Sequence, residues 1–204
     1  MHATVHFFHR RVAQEFSGWG ADLAGRLYGG ERPSGFCILA EFGGREGAAV
    51  SFWSTRAAAS QSALRTVDGG PLPLDIGVYE VLQSEAGAAA GEPAVAAQLT
   101  VFDGPRSRAQ ADAAELAGRE RLWPAVRQLP GLVAVHVLRD DDNGVVVLGL
   151  ATGIEALEAA QKAILTTELL PDEDPALLSE PDRVQIHRVL AAGLPSVALA
   201  GEPA

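Results

Sequence analysis

Two stretches of this chain follow one plan, and that repetition limits its fold more than any other feature. GFCILAEFGGREGAAVSFWST (35–55) and GLVAVHVLRDDDNGVVVLGLAT (131–152) each open on glycine and run through strand-forming residues to a charged, glycine-bearing turn. Each then ends a second β-rich run at a threonine suited to cap a helix. The second turn, with Asp142, Asn143 and Gly144, is a strong hairpin signal. An alanine-rich helical stretch follows each hairpin, RAAASQSAL (56–64) and GIEALEAAQKAIL (153–165). The spacing predicts a capping box of Thr152 with Glu155, and it puts Ile154, Leu157, Ala160 and Ile164 on one helical face. A Pro-bearing loop then leads to a closing strand in each copy, DIGVYEVL (75–82) and DRVQIHRVL (182–190), with a shared Val-Leu ending.

The front of each copy reads as a strand, TVHFF (4–8) and AAQLTVF (96–102), followed by a longer helix. In the first helix Val12, Phe16, Trp19, Leu23 and Leu27 step by three or four; in the second, Ala113, Leu116, Trp123 and Val126 share a side. Pro124 should kink or restart that second helix. SEAGAAAGEPA (84–94), rich in Gly and Ala, reads as a linker, so the expected domains are 1–87 and 96–192, with a linker at 88–95 and a tail at 193–204. Right-handed crossovers in a β-α-β-β-α-β unit put both helices on one face of a four-stranded antiparallel sheet. The other face needs a cover, because the strands are apolar on both sides: Val133, Val135 and Val137 alternate with Leu132, Ala134, His136 and Leu138. The second sheet is the natural cover, and pairing of the edges would close the two sheets together. The expected fold is α+β, two ferredoxin-like repeats packed sheet to sheet.

The tandem plan, with RLWPAVRQLPGLVAVHVL (121–138) ahead of the hairpin and a closing PDRVQIHRVL, resembles the dimeric α/β-barrel superfamily, nearest its antibiotic biosynthesis monooxygenase branch. There two ferredoxin-like units from separate chains form the barrel, so the resemblance implies an intramolecular dimeric α/β barrel here. It also implies oxidation of polycyclic aromatic substrates without metal or flavin, in a cavity between sheet and helices lined by tryptophan, asparagine and other polar groups. The haem-degrading branch adds a helix histidine as iron ligand. This sequence has no histidine in a predicted helix and no asparagine outside the turn at Asn143. Three readings therefore stay open: a cofactor-independent monooxygenase acting on an apolar aromatic molecule, a non-catalytic ligand-binding or assembly module of the same fold, and a haem-binding protein.

Composition removes other classes. With 26 acidic against 16 basic residues, the formal net charge of −10 disfavours nucleic acid and anionic lipid. No apolar run approaches the roughly 20 residues a membrane span needs, and the start, MHATVHFFHRRV, lacks a signal-type cleavage site, so the expected location is cytoplasmic. Lone Cys37 reads as a small buried hydrophobe. No phosphate-cradling loop, nucleophile elbow or Cys-His pair occurs, which lowers hydrolases, kinases and nicotinamide enzymes. No cofactor or metal is expected: His2 and His6 share a strand face without a nearby carboxylate, and Asp140, Asp141 and Asp142 suit a solvated turn better than a calcium loop. The expected partner is a small apolar or aromatic molecule, with homo-oligomerisation left open.

Titratable rings among aliphatic residues are the first candidates for acid-base work. His136 is the sharpest, and His6 and Trp53, the latter just before Thr55, join it as candidate catalytic residues. Tyr79 and His187, matched by the repeat, and the helix residues Trp19 and Trp123 are candidates for contact with the substrate. Each has a plainer reading: a buried histidine satisfied by one hydrogen bond, or an aromatic anchor between helix and sheet.

Overall fold

A computed structural model describes residues 1–9, 32–42, 46–64 and 73–194. The first part of the chain gives strands β1 (His2–His9), β2 (Gly35–Glu41) and β3 (Glu46–Trp53), helix α1 (Arg56–Ala63) and strand β4 (Pro73–Ala86). The second gives β5 (Ala96–Phe102), α2 (Arg108–Leu116), a π-helical stretch (Ala117–Leu122), α3 (Trp123–Val126), β6 (Leu132–Arg139), β7 (Val145–Ala151), α4 (Ile154–Thr166) and β8 (Arg183–Gly193). Both hairpins and the helix after each stand where the repeat put them. The helix expected over Val12 to Leu27, with Trp19, lies outside the described residues.

The chain forms two compact units, one of Met1–Val81 with the chain from Ile186, the other of Leu82–Gln185. In unit one the strands pair antiparallel in the order β4, β1, β3, β2, β8. Side chains alternate across a strand, so one contact fixes the faces. Thr4 Oγ1 donates to the Ala59 carbonyl of α1 at 2.8 Å, which turns Thr4, His6 and Phe8 toward that helix. Phe8, Ile38, Ala49, Trp53 and Ala59 form a buried cluster there. The opposite face is apolar and equally buried, with Val5, Phe7, Cys37, Leu39, Val50 and Phe52.

Unit two carries an antiparallel sheet in the order β5, β7, β6. Gly149 of β7 has Leu157 of α4 4.0 Å from the place its Cβ would occupy, so Val147, Val137 and Thr100, in register with it, share the face that bears the helices. His136, Leu138, Leu99, Leu148 and Leu150 occupy the other face, all 2% exposed or less. The unit-one sheet is buried on both faces, and in unit two one face is buried and the helix-bearing face half-buried, which accounts for the unalternating strands of the sequence.

Helix ends match expectation unevenly. Thr55 caps α1, its hydroxyl accepting from Ala58 N at 3.2 Å. The capping box expected of Thr152 and Glu155 is absent: α4 starts one residue later, at Ile154, with Gly153 as its cap and no side-chain bond. Thr152 is instead held at the strand end, its N–H donating to Gly131 O at 2.9 Å. Gly131 has φ 82°, and a Cβ there would come 2.8 Å from Thr152 Oγ1, so this junction requires glycine. The capping box that does form joins Ser107 and Gln110 at the start of α2. Near Pro124 the helix restarts as expected, passing through the π-helical stretch before α3, where Pro124 sits in the first turn. Strand β4 runs beyond the predicted Leu82 to Ala86.

Candidate functional site

A cavity of about 420 Å³ lies in unit two between the helix-bearing face of its sheet and the α2–π segment. Phe102, Val137, Val145 and Val147 form its sheet side. Ala111, Ala114, Gly118 and Leu122 form its helix side. Its origin is steric: alanine and glycine on the helix cannot reach the valines below, so a space stays open that larger side chains would fill. The π-helical stretch is part of this wall, and such wide turns often accompany functional sites. A Cβ on Gly118 would meet no atom within 4 Å.

Charged groups ring the apolar base. Arg106, Arg119, Arg121 and Arg139 line the cavity together with Glu85 and Glu115. Arg121 is committed to Glu173, Nε to Oε2 2.8 Å, with side chains 10% and 1% exposed. Glu173 Oε2 also accepts from Leu170 N at 2.7 Å, which ties the loop after α4 to the helix. Glu115 lies 3.6 Å from Arg139 and 3.8 Å from Arg119. Arg106 sits over the Phe102 ring, guanidinium carbon to centroid 5.0 Å. Its backbone is clamped by the β6–β7 turn: its N–H donates to Asp142 O at 2.9 Å, and its carbonyl accepts from Asn143 Nδ2 at 3.0 Å.

Of the candidate catalytic and substrate-contact residues, the described ones, His136, His6, Trp53, Tyr79, His187 and Trp123, do not line this cavity, and Trp19 lies outside the described residues. His136 lies in unit two on the opposite face of β6, its Nδ1 2.9 Å from Ser84 Oγ. Burial lowers its pKa from 6.5 to about 4. Trp123, part-exposed, opens α3. His6 and Trp53 share the α1-bearing face of unit one but lie apart along it, Trp53 opposite His2 and His6 opposite Ala49, and His6 stacks on Phe8 with centroids 5.9 Å apart. His6 too is held near pKa 4, by burial, with the adjacent backbone of Ser62 opposing the shift. Tyr79, opposite Ala3, and His187, opposite Glu41, occupy the other face of the same sheet. Cys37 is fully buried, and burial pushes its thiol well above the usual range. Among the described residues, no three His, Cys, Asp or Glu side chains are placed to hold a metal ion. No described helix is long and apolar enough to cross a membrane.

The sequence pattern marks neither the arginines nor Gly118 as cavity-lining. Nothing local marks an arginine as cavity-lining, although a glycine inside a helical run at Gly118 was a visible irregularity.

No family model matches the chain, and no curated protein matches it. Solved structures do. A Fusobacterium nucleatum protein provisionally named a monooxygenase superposes with a TM-score of 0.66 at 12% identity, over 95% of this chain and 94% of that one. An anthrone oxidase-like protein gives 0.62 at 14% identity, over 99% and 96%. A Listeria monocytogenes ferredoxin-fold protein related to antibiotic biosynthesis monooxygenases gives 0.52 at 11% identity, over 92% and 94%. At these identities the likeness is one of fold, and the chain shares the α+β fold of monooxygenase-like proteins.

Proposed function

We propose that this protein binds a small, largely apolar aromatic molecule in the cavity of its second unit. The observation that carries the proposal is the cavity itself: about 420 Å³, within the range of small-molecule sites, with an apolar base and a few convergent polar groups. A ligand the size of one indole ring would bury roughly 200 Å² there, or about 5 kcal/mol of hydrophobic stabilisation. Association alone costs about 4 kcal/mol or more, so apolar contact supports weak binding and polar anchoring must supply the rest.

The test uses the open space at Gly118. Calorimetric titration of the full-length protein with 2-naphthol should give saturable one-to-one binding. Gly118→Phe, which fills the cavity, should weaken that binding at least ~tenfold while leaving the melting temperature nearly unchanged. Equal affinity in both proteins would remove the cavity as the site.

The fold shared with monooxygenase-like and anthrone oxidase-like proteins favours a second, catalytic reading. In it the protein is a cofactor-independent monooxygenase of an aromatic substrate: His136 in unit two, or His6 or Trp53 in unit one, is the candidate to act at the reacting carbon, and Tyr79, His187, Trp19 and Trp123 are separate candidates for substrate contact. An activated CH₂ becomes C=O; one oxygen atom of O₂ enters the product and the other leaves as water with the two displaced hydrogens. Oxygen uptake with a panel of anthrones and hydroquinones tests it: wild type should consume oxygen, and His136→Ala or Trp53→Phe should slow it. No uptake, or uptake unchanged in both variants, removes this reading. Mutual shielding of the two repeats as an intramolecular dimeric α/β barrel belongs to the same proposal.

A further inference from the structure

The lining of the unit-two cavity is charged in the sense opposite to the chain. Four guanidinium groups face two carboxylates there, while the whole sequence carries 26 acidic and 16 basic residues. The four cations differ in what they are free to do. Arg121 is held by Glu173 at 2.8 Å in a buried pair. Arg119 is held by Glu120 at 2.9 Å, and Arg119 and Arg139 both lie near Glu115. Arg106 has no carboxylate partner among the described residues. A guanidinium on an aromatic face keeps its edge N–H groups available for an oxyanion in the ring plane. Here the ring is Phe102, itself a wall of the cavity, and the clamp by Asp142 O and Asn143 Nδ2 fixes the backbone that carries the cation. Arg106 is therefore positioned by hydrogen bonds to its main chain and by an aromatic face, without a carboxylate partner among the described residues.

We infer that the ligand of this cavity is an aromatic carboxylate, and that the Arg106 guanidinium pairs with its carboxylate while the ring lies on the valine and phenylalanine base. The inference rests on the cavity being the ligand site, as proposed above. A phenolate or an ester would leave the fork of Arg106 incompletely used, whereas a carboxylate matches its two parallel N–H donors.

The test compares two probes of nearly equal shape, 2-naphthoate and its neutral amide, 2-naphthamide, titrated near neutral pH into the full-length protein and into Arg106→Gln. Wild type should prefer naphthoate by at least ~tenfold at low salt, and the preference should shrink as salt is added. Arg106→Gln should bind naphthamide as wild type does and lose the preference for naphthoate. Equal affinity of wild type for both probes overturns the inference and leaves the cavity proposal standing. A preference that persists in Arg106→Gln overturns the role of Arg106. If wild type binds neither probe, the cavity proposal falls and this inference falls with it.

Discussion

His6 and His136 are the residues whose chemistry burial changes most clearly. Both are held near pKa 4 against an ordinary 6.5. Between those values the unfolded chain binds protons that the fold excludes, so stability rises with pH through this window. It is complete above about 6.5 and is lost as the pH falls toward about 4. At about 1.4 kcal/mol per pH unit, acidification from 6.5 to about 5 costs on the order of 2 kcal/mol for each histidine. Urea midpoints measured near pH 7.5 and near pH 5 should therefore differ in wild type, and the double variant His6→Gln, His136→Gln should lose most of that difference. A double variant as pH-sensitive as wild type would show that other groups govern acid stability. The burial of His136 was legible, because every neighbour from Leu132 to Leu138 is aliphatic. Its face was not. Both alternating sets of β6 are apolar, so the pattern cannot tell the helix-bearing side, with Val137, from the side with His136.

At the scale of elements, local signals were read well where the chemistry is local. The Asp142–Gly144 turn forms with Asn143 at φ 62°, and Asp140 Oδ1 accepts from Gly144 N at 2.7 Å, a closed loop of short-range bonds. The two N-caps show how one residue decides an outcome: Thr55 adjoins its helix and caps it, whereas Gly153 stands between Thr152 and α4. Thr55→Ala should accordingly cost about 1 kcal/mol in urea unfolding, since it frees the N–H of Ala58. Ser107→Ala should cost a similar amount, about 1 kcal/mol, by breaking the capping box of α2. No measurable loss in either variant would mean that tertiary packing alone holds these helix starts. The cavity was illegible for a different reason. It depends on where Ala111, Ala114 and Gly118 point along a helix that widens into a π-helical stretch, and that widening shifts the register that a 3.6-residue period assumes.

At the scale of the whole chain, the order of strands and helices was legible and the long-range strand pairing was not. Unit one takes its last strand from the far end of the sequence: Phe36 to Glu41 of β2 pair with residues 187–193 of β8. A pairing of that sequence separation leaves no local trace. It does set an expectation for dividing the protein. A fragment of residues 1–90 would expose the edge of β2, an open row of N–H and C=O groups in an apolar strand. Expressed alone, that fragment should self-associate or precipitate, and supplying 91–204 should restore a dispersed species. A monodisperse, monomeric 1–90 fragment in sedimentation velocity would contradict this.

In the proposed complex a small aromatic molecule occupies the space beneath the π-helical stretch of unit two. A crystal structure of the full-length protein grown with 2-naphthoate tests it most directly. Density for the ring is expected against Val137 and Val147, beside Gly118, with the carboxylate at Arg106. Density on the other face of β6 against His136, or in unit one beside His6 and Trp53 with this cavity empty, would contradict it.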